Sequence, residues 1–200
     1  MPDAFLRFAM AVPPLAAIGI PTLADAKANA ADGASVCGTL LRAAFVESAP
    51  RDRFEFANGS SAGWRVAALT LDLEGSAGRL VFDTAEGGVG VEVFQPFRAE
   101  EGPVRLRDAR VPGDGEERLA LEFDESGSGA FVSGETFVFS IDVDDRLADS
   151  ELGQIRVSGS EIEGGRLSVE LVHDDGMAES LAGRLDERAV AELVGTPCPG

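Results

Sequence analysis

Two hundred residues carry 17 basic and 35 acidic side chains, a formal charge of −18. Such acidity excludes the usual nucleic-acid binder, which needs a basic face to displace phosphate counterions, and it opposes docking on an anionic membrane surface. A hydrophobic fraction of 44% suffices for a sizeable core and excludes wholesale disorder, and the length predicts one domain. Side chains suited to catalysis are few: all the basic residues except Lys27 are arginine, and there is one histidine, one tryptophan and no tyrosine.

Residues 1–26 read as a secretory signal peptide. Arg7 supplies a weak positive start, Phe8 to Ile20 form an apolar run, and Ala24-Asp25-Ala26 fits the small-residue cleavage pattern. The run is shorter than the roughly 20 residues a spanning helix needs. It also contains Pro13 and Pro14, which would break a helix. Cleavage leaves one domain over 27–200 with a charge of −17, in the periplasm or outside the cell. Its two cysteines, Cys37 and Cys198, stand near its two ends. In an oxidising compartment they are expected to pair. Loop closure of that length is worth on the order of 4–5 kcal/mol. Neither cysteine stands in a zinc-binding spacing.

The mature chain alternates short apolar runs with Gly-, Asn- and Asp-rich turns. Leu69, Leu71 and Leu73 alternate with Thr70 and Asp72. Phe137, Phe139, Ile141 and Val143 do so with Val138, Ser140 and Asp142, and Leu167, Val169 and Leu171 with Ser168 and Glu170. A period of two places one set in a core and the other on an outer face. The pattern predicts strands at 39–47, 53–57, 64–73, 79–83, 89–94, 103–110, 117–123, 135–143, 153–159 and 165–172. Residues 177–194 leave two alternatives open, a short helix with Ala178, Leu181, Leu185 and Ala189 on one face, or a final edge strand over 189–194. Turn signals at this spacing predict an all-β fold, a single antiparallel β-sandwich of immunoglobulin-like or jelly-roll type.

The richest acidic stretch is Ile141-Asp142-Val143-Asp144-Asp145. Carboxylates at alternate positions can converge on a hard cation, and Ca²⁺ takes about 6–8 oxygen ligands. The predicted metal ligands are Asp142, Asp144 and Asp145 with Glu161, and Glu163, Asp174 and Asp175 are further oxygen donors if their turns lie at the same end. The alternative is a solvated acidic turn. His173 is the only candidate base near neutrality, but no nucleophile accompanies it, and a surface turn histidine is the simpler reading. Gly59-Ser60-Ser61-Ala62-Gly63 has the letters of a nucleophile elbow, yet a strand rather than a helix follows, which predicts a hairpin turn. Asn58-Gly59-Ser60 fits a glycosylation sequon, although Asn-Gly is the commoner hairpin signal. Trp64 is expected in the core or at its rim. Phe94 and Phe97 are expected to flank a bend at Gln95-Pro96 with both rings in the core.

Several segments occur together in order: Phe54-Glu55-Phe56-Ala57-Asn58-Gly59-Ser60, Leu69 to Leu73, Leu80-Val81-Phe82-Asp83, Gly90 to Phe97, Ile141 to Asp145 and Val157 to Ile162. That set, covering about residues 44–172, resembles small secreted proteobacterial proteins of the "aggregation factor core" family. The resemblance implies a non-enzymatic extracellular module for Ca²⁺-dependent, carbohydrate-associated cell adhesion. Its partners would be an extracellular polysaccharide or a cell-surface protein, with no nucleic acid and no membrane span. The alternatives are a hydrolase of extracellular polymers, working through Asp142 with Glu161 or His173 with Asp174, and a structural envelope or matrix component.

Overall fold

The computed structural model describes residues 38–47, 52–90, 94–100, 102–145 and 157–197. The signal peptide and the expected Cys37–Cys198 pair lie outside these residues. In chain order the strands are β1 (Gly38–Val46), β2 (Arg53–Asn58), β3 (Trp64–Asp72), β4 (Val81–Asp83), β5 (Arg98–Ala99), β6 (Leu106–Arg110) and β7 (Arg118–Phe123). There follow β8 (Phe131–Val132), β9 (Thr136–Ser140), β10 (Asp142–Asp144), a helical turn α1 (Gly159–Ile162), β11 (Arg166–His173), β12 (Ala178–Arg184) and β13 (Val190–Pro197).

The strands form an antiparallel β-sandwich. One sheet has the order β13–β1–β2–β9–β5, the other β12–β11–β3–β7–β6 with β8 paired to β3, and β10–β4 is a separate two-stranded ladder. The alternation decides which side chains go in. Leu69, Leu71, Leu167, Val169 and Leu171 are buried on β3 and β11, with Ser168 and Glu170 exposed between them. All the described residues belong to one compact unit, Gly33–Gly200. Among them no helix is long and apolar enough to cross a membrane.

Four stretches depart from, or decide between, the sequence expectations. The stretch 177–194 is strand on both sides of a crossover: β12 pairs with β11 in one sheet and β13 with β1 in the other. Its helix-like spacing is overridden because Leu181, Leu185, Ala191 and Leu193 are buried along extended backbone, and β13 is the predicted edge strand. The predicted strand 153–159 ends differently, since Gly159–Ile162 is one turn of helix begun by a capping box between Ser158 and Glu161; residues 153–156 lie outside the description. The predicted strand 135–143 is broken at Ile141 into β9 and β10. Of the predicted strand 89–94, Val89 and Gly90 are bends, Phe94 is irregular and 91–93 are outside the described residues.

Aromatic rings join the two sheets. Phe45, Phe54, Phe56 and Phe139 stack within the first sheet at centroid distances of 5.0 to 5.7 Å. Phe137 meets Phe123 of the second sheet edge-on at 5.1 Å and 84°, a favoured aromatic geometry. Phe139 is fully buried at the centre of this chain of rings and also touches Phe97. Its replacement, Phe139→Ala, is expected to cost about 3–5 kcal/mol of unfolding free energy. Urea denaturation would read that loss, and a cost below about 1 kcal/mol would mean the ring chain is not a main source of stability.

Candidate functional site

At Ile141 the chain changes partners. β9 runs beside β2 as far as the Arg53–Ser140 pair, after which Ile141 N donates to Asp52 O (3.3 Å) and Asp142 N to Gln95 O (3.0 Å). β10 then pairs with β4, with Asp142 opposite Asp83 and Asp144 opposite Val81. Because Phe137, Phe139, Ile141 and Val143 all enter the core, Ser140, Asp142 and Asp144 share the other face. Residues directly opposite in an antiparallel pair point the same way, so Asp83 joins that face.

This face is covered. Asp52, Asp83, Ser140 and Asp144 are buried and Asp142 is half-buried. The loop after β4 folds back over it. Asp114 holds that loop by accepting from Thr84 N and Val89 N, each at 3.1 Å. Gly90 lies against the carboxylates. A Cβ there would collide with Asp83 Oδ2 and stand 2.8 Å from Asp144 Oδ2, so a larger residue would have to displace these carboxylates. Gln95 N donates to Asp83 O (3.1 Å) and its Nε2 to Ser140 Oγ (2.6 Å). Two acceptors on these residues, Asp83 Oδ1 and Gln95 Oε1, are buried without a hydrogen-bond partner.

The electrostatics follow from the crowding. Burial, followed by the charges of Asp52, Asp83 and Asp144, pushes the Asp142 carboxyl up to about 8. Burial, the hydrogen bond and charge of Asp114, and the charge of Asp144 push Asp83 up to about 6. The charged groups that act most strongly on both are other carboxylates.

The residues expected from sequence as metal ligands take up different places in the fold. Asp142 and Asp144 do come together, and their companions are Asp83 and Asp52. Asp145 contributes a backbone N–H to Asp144 Oδ1 (2.8 Å). Glu161 is taken up in the capping box, its Oε2 accepting from Ser158 N and Ser158 Oγ, each at 2.7 Å. Asp174 pairs with Arg65 (3.0 Å), and Asp175 with His173 Nδ1 (2.9 Å). Asp83, Gln95 and Asp52 were not singled out by sequence reasoning. The available signal was Asp83 ending the apolar run Leu80-Val81-Phe82, as Asp142 follows Phe139-Ser140-Ile141. Among the described residues no three His, Cys, Asp or Glu side chains form a closed metal-binding group.

The other candidates serve the fold. His173 leans on the Trp64 ring (5.1 Å) and its Nε2 crowds Gly63, whose φ of +88° and lack of Cβ permit the approach. Trp64 packs against the core, as expected. Ser61 Oγ donates to Gly38 O (3.3 Å) and strand β3 follows, so the Gly59–Gly63 stretch is a turn. Asn58 is only 1% exposed and its Nδ2 donates to Phe131 O (3.0 Å), which leaves the sequon without an accessible amide. Phe97 packs on the core and Phe94 is exposed, so one ring of that pair is inward rather than both. No family model, characterised protein or solved structure matches the chain.

Two predictions follow from this geometry. In EDTA, a carboxyl raised from 3.8 to about 8 keeps its proton in the folded state where the unfolded chain has lost it. Folding then takes up protons, so stability falls as pH rises from about 4 to about 8. The melting midpoint should climb on acidification from pH 8 to pH 5, and Asp142→Asn should flatten that climb; a wild-type midpoint that falls over this range contradicts the assignment. Asn58→Ala strands Phe131 O and Ser60 N and should cost about 1–3 kcal/mol in the same denaturation assay.

Proposed function

We propose that the chain is a secreted, non-catalytic binding module that attaches to extracellular or cell-surface polysaccharide with the help of Ca²⁺. The observation that carries the reading is the gathering of Asp83, Asp142 and Asp144 on one covered face, where the charges that act most strongly on Asp83 and Asp142 are those of other carboxylates. Such a face calls for a hard cation, which oxygen ligands suit. The groups a hydrolase would need support the same reading by their other engagements: Ser61 closes a turn, Glu161 caps a helix and His173 packs on Trp64. The resemblance to aggregation-factor-core proteins adds the adhesion component. One observation favours the hydrolase alternative: a carboxyl near 8 beside other carboxylates has the protonation a general acid requires.

Polysaccharide-coated beads incubated with the purified chain test both. Retention that requires millimolar Ca²⁺ and is reversed by EDTA is the expected result, with no release of reducing sugar. Sugar release that Asp142→Asn abolishes would establish the hydrolase instead.

A further inference from the structure

We infer that a cleft at one end of the sheet containing β12, β11, β3 and β7, walled by Arg166 and Arg184, binds a uronate residue of an acidic polysaccharide. The inference rests on the polysaccharide part of the reading above and names the sugar chemistry it takes. The buried carboxylates have no part in it.

Strand register builds the site. Asp72 of β3 stands opposite Arg118 of β7 on one side and Arg166 of β11 on the other, and Arg166 stands opposite Arg184 of β12. Residues directly opposite point to the same face, so three guanidinium groups and one carboxylate form a row across four strands. The row lies on the outer face, because the adjacent Leu71, Leu119, Leu167 and Leu185 are buried. All three arginines are exposed. Asp72, Glu74, Gly75, Arg166 and Arg184 enclose a cleft of about 260 Å³. Arg184 Nη1 donates to Gly164 O (2.7 Å), and a Cβ on Gly75 would stand 3.0 Å from it, so this guanidinium is held against the cleft wall.

Two features point to a ligand. Like charges directly opposite in a ladder destabilise it, and Arg166 and Arg184 are so placed. Arg42, Arg65, Arg107 and Arg188 each pair with a carboxylate, whereas among the described residues Arg118, Arg166 and Arg184 have no ion pair. Asp72 is the ladder neighbour of two of them, yet its Oδ1 accepts from Glu74 N (3.1 Å). The guanidinium forks therefore keep donors available, and two parallel N–H groups match a planar carboxylate. Asp72 and Glu74 are acceptors for hydroxyl groups. Pockets for drug-sized ligands run from about 300 to 1,000 Å³, so this cleft takes one small polar unit. A uronate supplies one carboxylate for the arginines and several hydroxyls for the acids. A densely sulfated sugar has the charge but few hydroxyls left to donate. The chain's charge of −18 repels acidic polymers at long range. At physiological salt that repulsion is screened beyond about 8 Å, so the groups in the cleft decide the contact.

Beads carrying polygalacturonate, neutral dextran or dextran sulfate test the cleft, in millimolar Ca²⁺ at physiological ionic strength. The expected result is strongest retention on polygalacturonate. Arg166→Gln and Arg184→Gln should each weaken it about tenfold, the loss of one charge-assisted contact, with little change of melting midpoint. Should Arg184→Gln fail to fold, Arg166→Gln carries the test, since it breaks no ion pair. The double variant Arg42→Gln, Arg188→Gln loses more charge elsewhere on the surface and should bind as wild type; an equal loss there makes the effect one of net charge and overturns the cleft. Equal retention on dextran, tighter retention on dextran sulfate, or undiminished retention of the cleft variants overturns the cleft and leaves the reading above standing. Retention that needs no Ca²⁺ but is lost in the cleft variants upholds the cleft and removes the calcium part of that reading. Absence of retention on all three polymers overturns both.

Discussion

The stretch 136–144 constrains everything built around it. Phe137, Phe139, Ile141 and Val143 are claimed by the core, and burying each is worth on the order of 1.5–3 kcal/mol. A slip of one residue would turn all four outward and drive Ser140, Asp142 and Asp144 inward. Hydrophobic energy therefore holds the register, and the acidic face is its consequence. The carboxylates are gathered because the core holds the opposite face of the same strand. The aromatic contacts that join Phe137 to Phe123 and Phe139 to Phe54 keep that strand in place between the sheets.

The rest of the charge behaves differently. Arg107 pairs with Glu122 and Glu125, Arg188 with Asp186, and Arg42 with Glu192, all at exposed positions where such pairs contribute little. These arginines pair at the surface, whereas the charges acting most strongly on the buried Asp83 and the half-buried Asp142 are those of other carboxylates. Carboxylates crowded together away from water repel one another, and that repulsion is relieved by taking up a proton or a cation. That contrast separates the cluster from the bulk of the acidity, which is solvated surface that opposes edge-to-edge pairing of the strands.

How much could be read in advance varied with the range of the interaction. Strand positions on β1, β2, β3, β7 and β11 were legible, because alternation and glycine turns are local. The 177–194 stretch was ambiguous since Ala178, Leu181, Leu185 and Ala189 fit a helical stripe, and only the neighbours β11 and β1 make it two strands. The break at Ile141 left no local mark, because the apolar alternation runs straight through it. Glu161 carried a usable signal in Ser158-x-x-Glu161, the capping-box pattern, which assigns its carboxylate to a helix start.

Composition and periodicity determined by themselves that this is an acidic all-β chain, with its strands separated by glycine turns, because burying apolar side chains at a period of two requires extended backbone. Tertiary structure alone decided which carboxylates meet. Asp83 and Asp142 are far apart in the chain, and although Asp142 stands in the richest acidic stretch, nothing local to either residue marks the other as its neighbour. Their meeting is set by the pairing of β4 with β10, and the cover over them by the return of the loop that carries Gly90. Strand pairing is a choice of partner made over the whole sheet, so the acidic site appears only when the strands are in place.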